Sequence, residues 1–381
     1  MATETRGKKS TGRNGANRNG NGNPRVSAKQ RAKKKRTKIF IFAAEIIVLL
    51  VALVVLWGVL QGENVGRVNI KEEDLIMNMN ETVKDNETLK GYRNIALFGV
   101  DTTTGGTSQN ELAKKTRSDT IMIASVNMDT GEVKLVSVYR DTYLNLSNDT
   151  YTKCNSAYAK GGAEMAINML NMNLDLNITD FVTVGFAGLK DTIDALGGVY
   201  IDVDEAELEH INNYQYCMAE DMKIPYTEVK ETGYQLLDGL QATAYCRIRY
   251  TAGNDFKRAE RQREVLQAVA EKAKKADIGT LTTIATDVSK EVYTSLDLQE
   301  IIELLGGITN YSIVADEGFP REDLRATGSI GSSGSCVVPV SLSDNVKWLH
   351  EFLFNDTDYE VSSELQTYSD KINIDTASYL K

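Results

Sequence analysis

Histidine is nearly absent from this chain, with only His210 and His350 among 381 residues, so a histidine-based catalytic triad has little support. The four cysteines, Cys154, Cys217, Cys246 and Cys336, form no C-x-x-C pair, which argues against a zinc site. Four prolines and 29 glycines exclude collagenous and proline-rich chains. There is no Gly-rich phosphate loop of the Walker or Rossmann type and no internal repeat. Aromatic residues make up only 7%, yet 17 tyrosines argue against wholesale disorder. The length suits one large domain or two small ones.

Charge is present in quantity and is unevenly placed. Residues 1–38 carry 13 Lys/Arg and a single acid, Glu4, whereas the rest of the chain carries 30 bases and 52 acids. The first segment is built of Gly, Asn, Arg and Lys and ends in Arg31-Ala32-Lys33-Lys34-Lys35-Arg36-Thr37-Lys38. With almost no apolar side chains to offset the entropy of ordering, it reads as a solvated tail. In isolation such a run suggests nucleic-acid binding, but it holds no aromatic residue.

The adjoining segment gives the tail another meaning. Residues 39–60 (IFIFAAEIIVLLVALVVLWGVL) contain one charge, Glu45. Twenty-two helical residues span about 33 Å, enough for a hydrocarbon core of about 30 Å. A cleavable signal would have a shorter apolar region and a small-residue cleavage pattern, which Trp57-Gly58-Val59-Leu60-Gln61 does not offer. The expectation is a retained membrane anchor. The basic tail then lies in the cytoplasm and residues beyond 60 lie outside, in a single-pass topology with no nucleic-acid partner.

Residues 61–91 are polar and read as a stalk. Ile95–Gly99, Thr120–Val126 and Val133–Val138 read as strands, and Asp129-Thr130-Gly131 as a tight turn joining the last two. If all three are antiparallel neighbours, the end of the first, the start of the second and the end of the third share one sheet edge. Asp101, Arg117, Asp119, Arg140 and Asp141 sit at those positions, so two guanidiniums and several carboxylates converge on one rim. Further along, Gly162–Leu176 has helical spacing, Phe181–Phe186 reads as a strand, and Leu189–Leu196 as a helix stopped by Gly197-Gly198. Val199–Val203 is another strand, and 204–235 reads as irregular.

Residues 243–250 are expected as a strand, which would put Arg247 and Arg249 on one face. Adjacent arginines there repel unless an anion lies between them. A helix from Asp255 to about Ala276 places Arg258, Arg261 and Gln262 on one face, continuing into Val265 and Val269. Residues 277–308 read as helical, 315–332 as a loop, 335–340 as an edge strand containing Pro339, 345–354 as a closing amphipathic helix, and 356–381 as a polar tail. Guanidinium forks suit phosphate, and an oxygen-only pair of aspartates suits Mg²⁺ better than zinc. An acidic exterior part that still concentrates arginines, held at a membrane, points to a phosphorylated or pyrophosphorylated lipid.

Ordered motifs over about residues 92–270 resemble the LytR–CpsA–Psr family. They are Gly99-Val100-Asp101, Arg117-Ser118-Asp119-Thr120, Ser137-Val138-Tyr139-Arg140-Asp141-Thr142, Lys153-Cys154-Asn155, Asp194-Ala195-Leu196-Gly197-Gly198-Val199, Leu237-Asp238-Gly239, Arg247-Ile248-Arg249, and Asp255-Phe256-Lys257-Arg258 with Arg261-Gln262. Tyr139 stands where the family usually has proline, and Lys257 where it has a small residue. The resemblance implies a mixed central β-sheet flanked by helices over 92–355. It further implies transfer of an anionic glycopolymer from a polyprenyl-pyrophosphate carrier to C6 of N-acetylmuramic acid in peptidoglycan. On that resemblance Asp101 and Asp119 hold Mg²⁺ or Mn²⁺, and Arg117, Arg140, Arg247, Arg249, Arg258 and Arg261 grip the pyrophosphate. Lys153, Asp255 and Gln262 complete the site, and the prenyl chain enters an apolar pocket.

Asp141 or Asp255 is either the acceptor of the hydroxyl proton or an ion-pair partner that orients the arginines. The same constellation would also serve hydrolysis of the carrier, or a non-catalytic regulator that binds it. Four cysteines allow three pairings. Cys154 and Cys246, each beside a motif residue, are the expected pair, leaving Cys217 with Cys336.

Overall fold

The computed structural model describes residues 86–101, 116–251, 253–273, 275–276, 292–295 and 312–380, with Ile70, Leu75, Asn80 and Val83 ahead of them. The basic tail, the apolar segment 39–60 and most of 277–308 lie outside the described residues; within the last, Val292–Thr294 is a strand, not part of an expected helix. Among the described residues no helix is long and apolar enough to cross a membrane.

A six-stranded mixed sheet forms the centre. Its strands are β1 (Tyr92–Val100), β2 (Ser118–Asn127), β3 (Glu132–Val138), β6 (Asp180–Gly185), β9 (Val292–Thr294) and β10 (Ser312–Phe319). They lie in the order β10-β3-β2-β1-β6-β9. β1, β2 and β3 are antiparallel neighbours, and the turn at 129–131 joins the last two, as the sequence predicts. β6 runs parallel to β1 and β10 parallel to β3. Short pairs flank this sheet: β4 (Tyr143–Asn145) with β5 (Tyr151–Lys153), β7 (Val199–Val203) with β8 (Gly233–Leu237), and β11 (Arg325–Ile330) with β12 (Gly334–Pro339).

Helices cover both faces, which is why the central strands read as nearly continuous apolar runs. On one face, Ile95, Ala124, Leu135 and Val182 pack with α2 (Phe186–Ala195), α3 (Glu205–Met222), α4 (Gly239–Tyr245) and α5 (Asn254–Ala273). On the other, Ala96, Phe98, Ile123, Val136 and Phe181 pack with α1 (Ser156–Leu174), α6 (Leu342–Phe354) and α7 (Ser363–Thr376). The two sets alternate along each strand, as the pleat requires.

Four further segments differ from their sequence reading. Residues 204–222, expected to be irregular, form α3, started by a capping box in which Asp204 and Glu207 exchange side-chain bonds with each other's backbone N–H. Residues 243–250 are not a strand: a second capping box, Asp238 with Gln241, starts the Ala-rich α4, and Arg247 and Arg249 come in the turn after it. The expected loop 315–332 contains most of β10 and β11. Residues 363–376 form α7, capped by Ser362 and anchored by buried Leu365 and Ile372. The polar composition concealed that one-sided apolar stripe. The end of the expected stalk is also core, because Leu75, Val83 and Leu89 are buried in the second cluster. Asn80 donates to Asp175 there and to Ser362 Oγ (3.1 Å).

Candidate functional site

The site forms where β1 ends, β2 begins and β3 ends. Gly99 pairs with Thr120 and Val100 with Ser118, so Asp119 is the extra residue of a β-bulge. A bulge turns a side chain out of the ladder's alternation. The close pairing needs glycine: a Cβ on Gly99 would lie 2.8 Å from Thr120 Cβ and Oγ1.

Asp119 is the hub. Its Oδ1 accepts from Arg140 Nη1 (2.7 Å) and its Oδ2 from Arg249 Nη2 (2.7 Å), while its backbone carbonyl accepts from Arg258 Nη2 (3.2 Å). Burial alone would raise its pKa, but Arg140, Arg258 and Arg249 outweigh that and hold the carboxyl below its ordinary value. Asp255, in the first turn of α5, lies 3.1 Å from Arg258 Nη1, 3.5 Å from Arg140 Nε and 3.8 Å from Arg249 Nε. Asp141 pairs with Lys153 Nζ (3.2 Å) and Arg140 Nε (3.7 Å). Burial works against the Arg140 charge, yet Asp119, Asp255 and Asp141 raise its pKa.

The ion pairs do not exhaust the hydrogen-bonding capacity of the cluster. Arg140 Nε, Arg258 Nε and Arg258 Nη1 are buried without a well-oriented acceptor. Arg258 is 4% exposed, and its pKa is pushed down to about 10, first by burial and then by Arg140. Guanidinium nitrogens whose carboxylate neighbours are poorly aligned keep donor capacity that a phosphate oxygen could take.

Beside this centre, Arg247 stacks over Phe186 (4.9 Å) and Tyr214 (5.6 Å) and points Nη2 at Asp101 (3.6 Å). Arg117 is exposed on the same rim. Gln262 reaches the Cys246 carbonyl through Nε2 (3.4 Å) and is among the residues lining a cavity of about 180 Å³. That cavity runs between the sheet and helices α2 and α5, lined chiefly by apolar side chains such as Leu97, Met122, Val184, Leu189, Val265 and Val269. The expected arginine centre and the expected apolar pocket therefore adjoin.

One predicted ligand is elsewhere. Arg261 is 1% exposed and donates to Glu207 (2.7 Å), the Ile248 carbonyl (3.3 Å) and Thr251 Oγ1 (2.7 Å). It fastens α5 to α3 and to the 247–251 turn. Helical spacing alone could not separate it from Arg258, because its partner lies on a helix the sequence reading missed. The expected disulfides are also absent, since all four cysteines are free. The Cys154 thiol instead donates to the carbonyls of Tyr139 (3.2 Å) and Arg140 (3.3 Å), fixing the turn that presents Arg140. Burial pushes this thiol well above its ordinary pKa.

Tyr139 has a support that sequence reasoning did not find. Its hydroxyl accepts from Arg325 Nη1 (3.0 Å), its ring meets Phe256 edge-on (4.6 Å), and a Cβ on Gly318 would fall 2.0 Å from its Oη. Arg325 also covers the Phe256 ring at 3.9 Å, so the residue after Asp255 is braced from behind. Lys257 pairs with Glu260 (2.9 Å) at the surface and leaves the centre untouched.

Asp101 and Asp119 come from adjacent strand ends and offer hard oxygen donors. Each Asp119 oxygen takes one arginine hydrogen bond and retains further acceptor capacity. No group of three or more His, Cys, Asp or Glu side chains is placed to hold a metal among the described residues. Two carboxylates fit an ion such as Mg²⁺, which keeps several waters and takes its remaining ligands from phosphates.

The LytR_cpsA_psr family model matches residues 62–333. The chain belongs to this family. It is 32% identical over 211 residues to the polyisoprenyl-teichoic acid–peptidoglycan teichoic acid transferase TagU of Enterococcus faecalis, covering 54% of this chain and 62% of TagU. It is equally 32% identical over 224 residues to biofilm regulatory protein A of Streptococcus mutans, covering 56% of this chain and 52% of that protein. The matches thus span about half to three-fifths of these relatives. The structure of Bacillus subtilis TagT with bound octaprenyl pyrophosphate lipid shares the fold, with a TM-score of 0.51 at 23% identity over 72% of this chain and 96% of that one.

Proposed function

We propose that this LytR–CpsA–Psr protein is a phosphotransferase that moves an anionic glycopolymer from a polyprenyl-pyrophosphate carrier to peptidoglycan. The observation that carries the reading is the junction of a buried, incompletely hydrogen-bonded arginine centre with an apolar cavity at Gln262 and Phe186. That junction suits a ligand with a double phosphate at one end and a hydrocarbon chain at the other. The names of relatives such as TagU support the reaction class, and the lipid in TagT supports the carrier.

In this reading, Arg140, Arg249 and Arg258 bind the pyrophosphate, with Arg247, Arg117 and Lys153 around them. Asp119 and Asp255 keep the guanidiniums charged and oriented. A glycan hydroxyl attacks the sugar-linked phosphorus, the phosphoanhydride bond breaks, and polyprenyl phosphate leaves, the hydroxyl proton passing to the leaving phosphate or to solvent. The arginines stabilise charge on the non-bridging and leaving oxygens, the main demand of phosphoryl transfer. Asp101 and Asp119 would hold Mg²⁺, which supplies further charge neutralisation at the phosphates. Asp141 and Asp255 each face cations within 3.1–3.8 Å, which suits them to orient the arginines and Lys153. The segment 39–60 would tether the domain outside the cytoplasmic membrane, where such carriers reside.

The test uses the full-length chain in detergent with a polyprenyl-pyrophosphate-linked saccharide, Mg²⁺ and uncrosslinked peptidoglycan, and follows the saccharide label by mass spectrometry. Label joined to peptidoglycan through a phosphodiester is the expected result, and it should be lost in Arg247→Ala. Release of free phosphorylated saccharide alone would replace transfer by hydrolysis. Retention of the lipid without turnover would make the protein a carrier-binding regulator.

A further inference from the structure

Tyr250 has no role in the fold that its surroundings explain, and it is 76% exposed. Isolated exposed aromatics are ordinary, so exposure by itself carries nothing. Its position does. The preceding residue, Arg249, is bound to Asp119 (2.7 Å), and the next residue, Thr251, accepts from buried Arg261 (2.7 Å). The Ile248 carbonyl accepts from the same Arg261 (3.3 Å). The turn bearing Tyr250 is therefore held on both sides by the arginine network, and the ring stands at the rim on an anchored backbone.

A second ring stands beside it. His210 on α3 lies 6.1 Å from Tyr250, centroid to centroid, at an interplanar angle of 42°. One helical turn further on, and so on the same face, comes Tyr214, whose ring lies 5.6 Å from the Arg247 guanidinium. Arg247 also lies 4.9 Å from Phe186, which lines the apolar cavity. The protein thus presents, in order, an apolar cavity at Phe186, the Arg247 guanidinium beside the arginine centre, and a group of aromatic rings. A polyprenyl-pyrophosphate saccharide has its parts in that same order: hydrocarbon, pyrophosphate, sugar.

Resting on the function proposed above, we infer that Tyr250, with His210 and Tyr214 beside it, forms a subsite for the saccharide ring joined to the carrier pyrophosphate. The apolar face of a pyranose packs on an aromatic face, which supplies affinity and orientation without hydrogen-bond specificity. Such a platform would hold the sugar-linked phosphorus in register with the arginines, and it accepts different sugars. Binding there orders little backbone, because the turn beneath the ring is already held.

The experiment measures binding of two probes to the full-length chain in detergent: octaprenyl pyrophosphate, and the same lipid carrying one N-acetylglucosamine on the pyrophosphate. Tyr250→Ala should raise Kd for the sugar-bearing lipid by about five- to tenfold, the scale of one aromatic contact, and leave Kd for the sugar-free lipid unchanged. Tyr250→Phe, which keeps the ring, should bind both as wild type does. Equal weakening of both probes by Tyr250→Ala, or no change in either, would overturn the subsite while leaving the carrier reading intact. Failure of the wild-type protein to bind either lipid would overturn both.

Discussion

Replacing Arg258 by methionine should make the protein more stable and less able to bind pyrophosphate. Arg258 is 4% exposed, and burial together with Arg140 pushes its pKa from 12.5 down to about 10. At about 1.4 kcal/mol per unit, keeping this side chain charged costs the fold about 3 kcal/mol. Methionine fills similar space without the charge. The change forfeits a hydrogen bond to the Asp119 carbonyl (3.2 Å), worth about 1 kcal/mol. Asp255 keeps Arg140 (3.5 Å) and Arg249 (3.8 Å) as partners. The balance is a gain of about 1–2 kcal/mol, or a rise of a few degrees in Tm. Thermal unfolding should then be repeated with octaprenyl pyrophosphate. At a hundred times its Kd the lipid should add about 2.7 kcal/mol to the wild type and little to Arg258→Met at the same concentration. A variant less stable than wild type without lipid would show that Arg258 is a structural residue. Equal stabilisation of both proteins by the lipid would show that Arg258 does not face the anion. Either result refutes the assignment of Arg258 to the pyrophosphate at the expense of stability.

Arg261 should behave in the opposite way. Arg261→Gln leaves Glu207, 2% exposed, without its 2.7 Å partner, and should lower stability by about 3–5 kcal/mol in a denaturant titration. Unchanged stability with lost lipid binding would instead return Arg261 to the pyrophosphate. A third expectation concerns acid stability. Burial pushes His350 down to about 4, so below pH 6.5 the unfolded chain takes up a proton that the folded chain refuses. Stability contributed by neutral His350 is complete above pH 6.5 and should decline by about 3 kcal/mol as the pH falls towards 4. Asp175, which burial pushes above its ordinary value, titrates with the opposite sign and should blunt the lower end of that decline. Unfolding of His350→Gln across this range should lack the slope, and an unaltered slope would assign it to other groups.

Local signals in the chain specify much of the edge of the sheet on which the site lies. Short apolar runs mark β1, β2 and β3, and the Asp129-Thr130-Gly131 turn makes β2 and β3 an antiparallel hairpin, while the pairing of β1 with β2, supposed from the sequence, is seen in the fold. From that pairing alone Asp101, Arg117, Asp119, Arg140 and Asp141 must gather at one rim. Strand alternation and turn chemistry act between near neighbours, so they survive without tertiary context. The family was legible too, because its motifs are charged residues at fixed places in an ordered series. Which arginines face the ligand was not legible. Arg258 and Arg261 are both buried and one helical turn apart, and only Glu207 on α3 diverts one of them. The same holds for Arg247 and Arg249. Their approach to the site does not come from strand alternation but from a turn after α4, fixed by contacts with Asp119, Phe186 and Arg261. Long-range packing also decided that the polar segment 363–376 is a helix closing the second core, and that the cysteines are free thiols, with Cys154 serving backbone hydrogen bonds. A residue's spacing tells which way it points from its own element. Whether it meets a ligand or a carboxylate there depends on what another part of the chain has brought to that place.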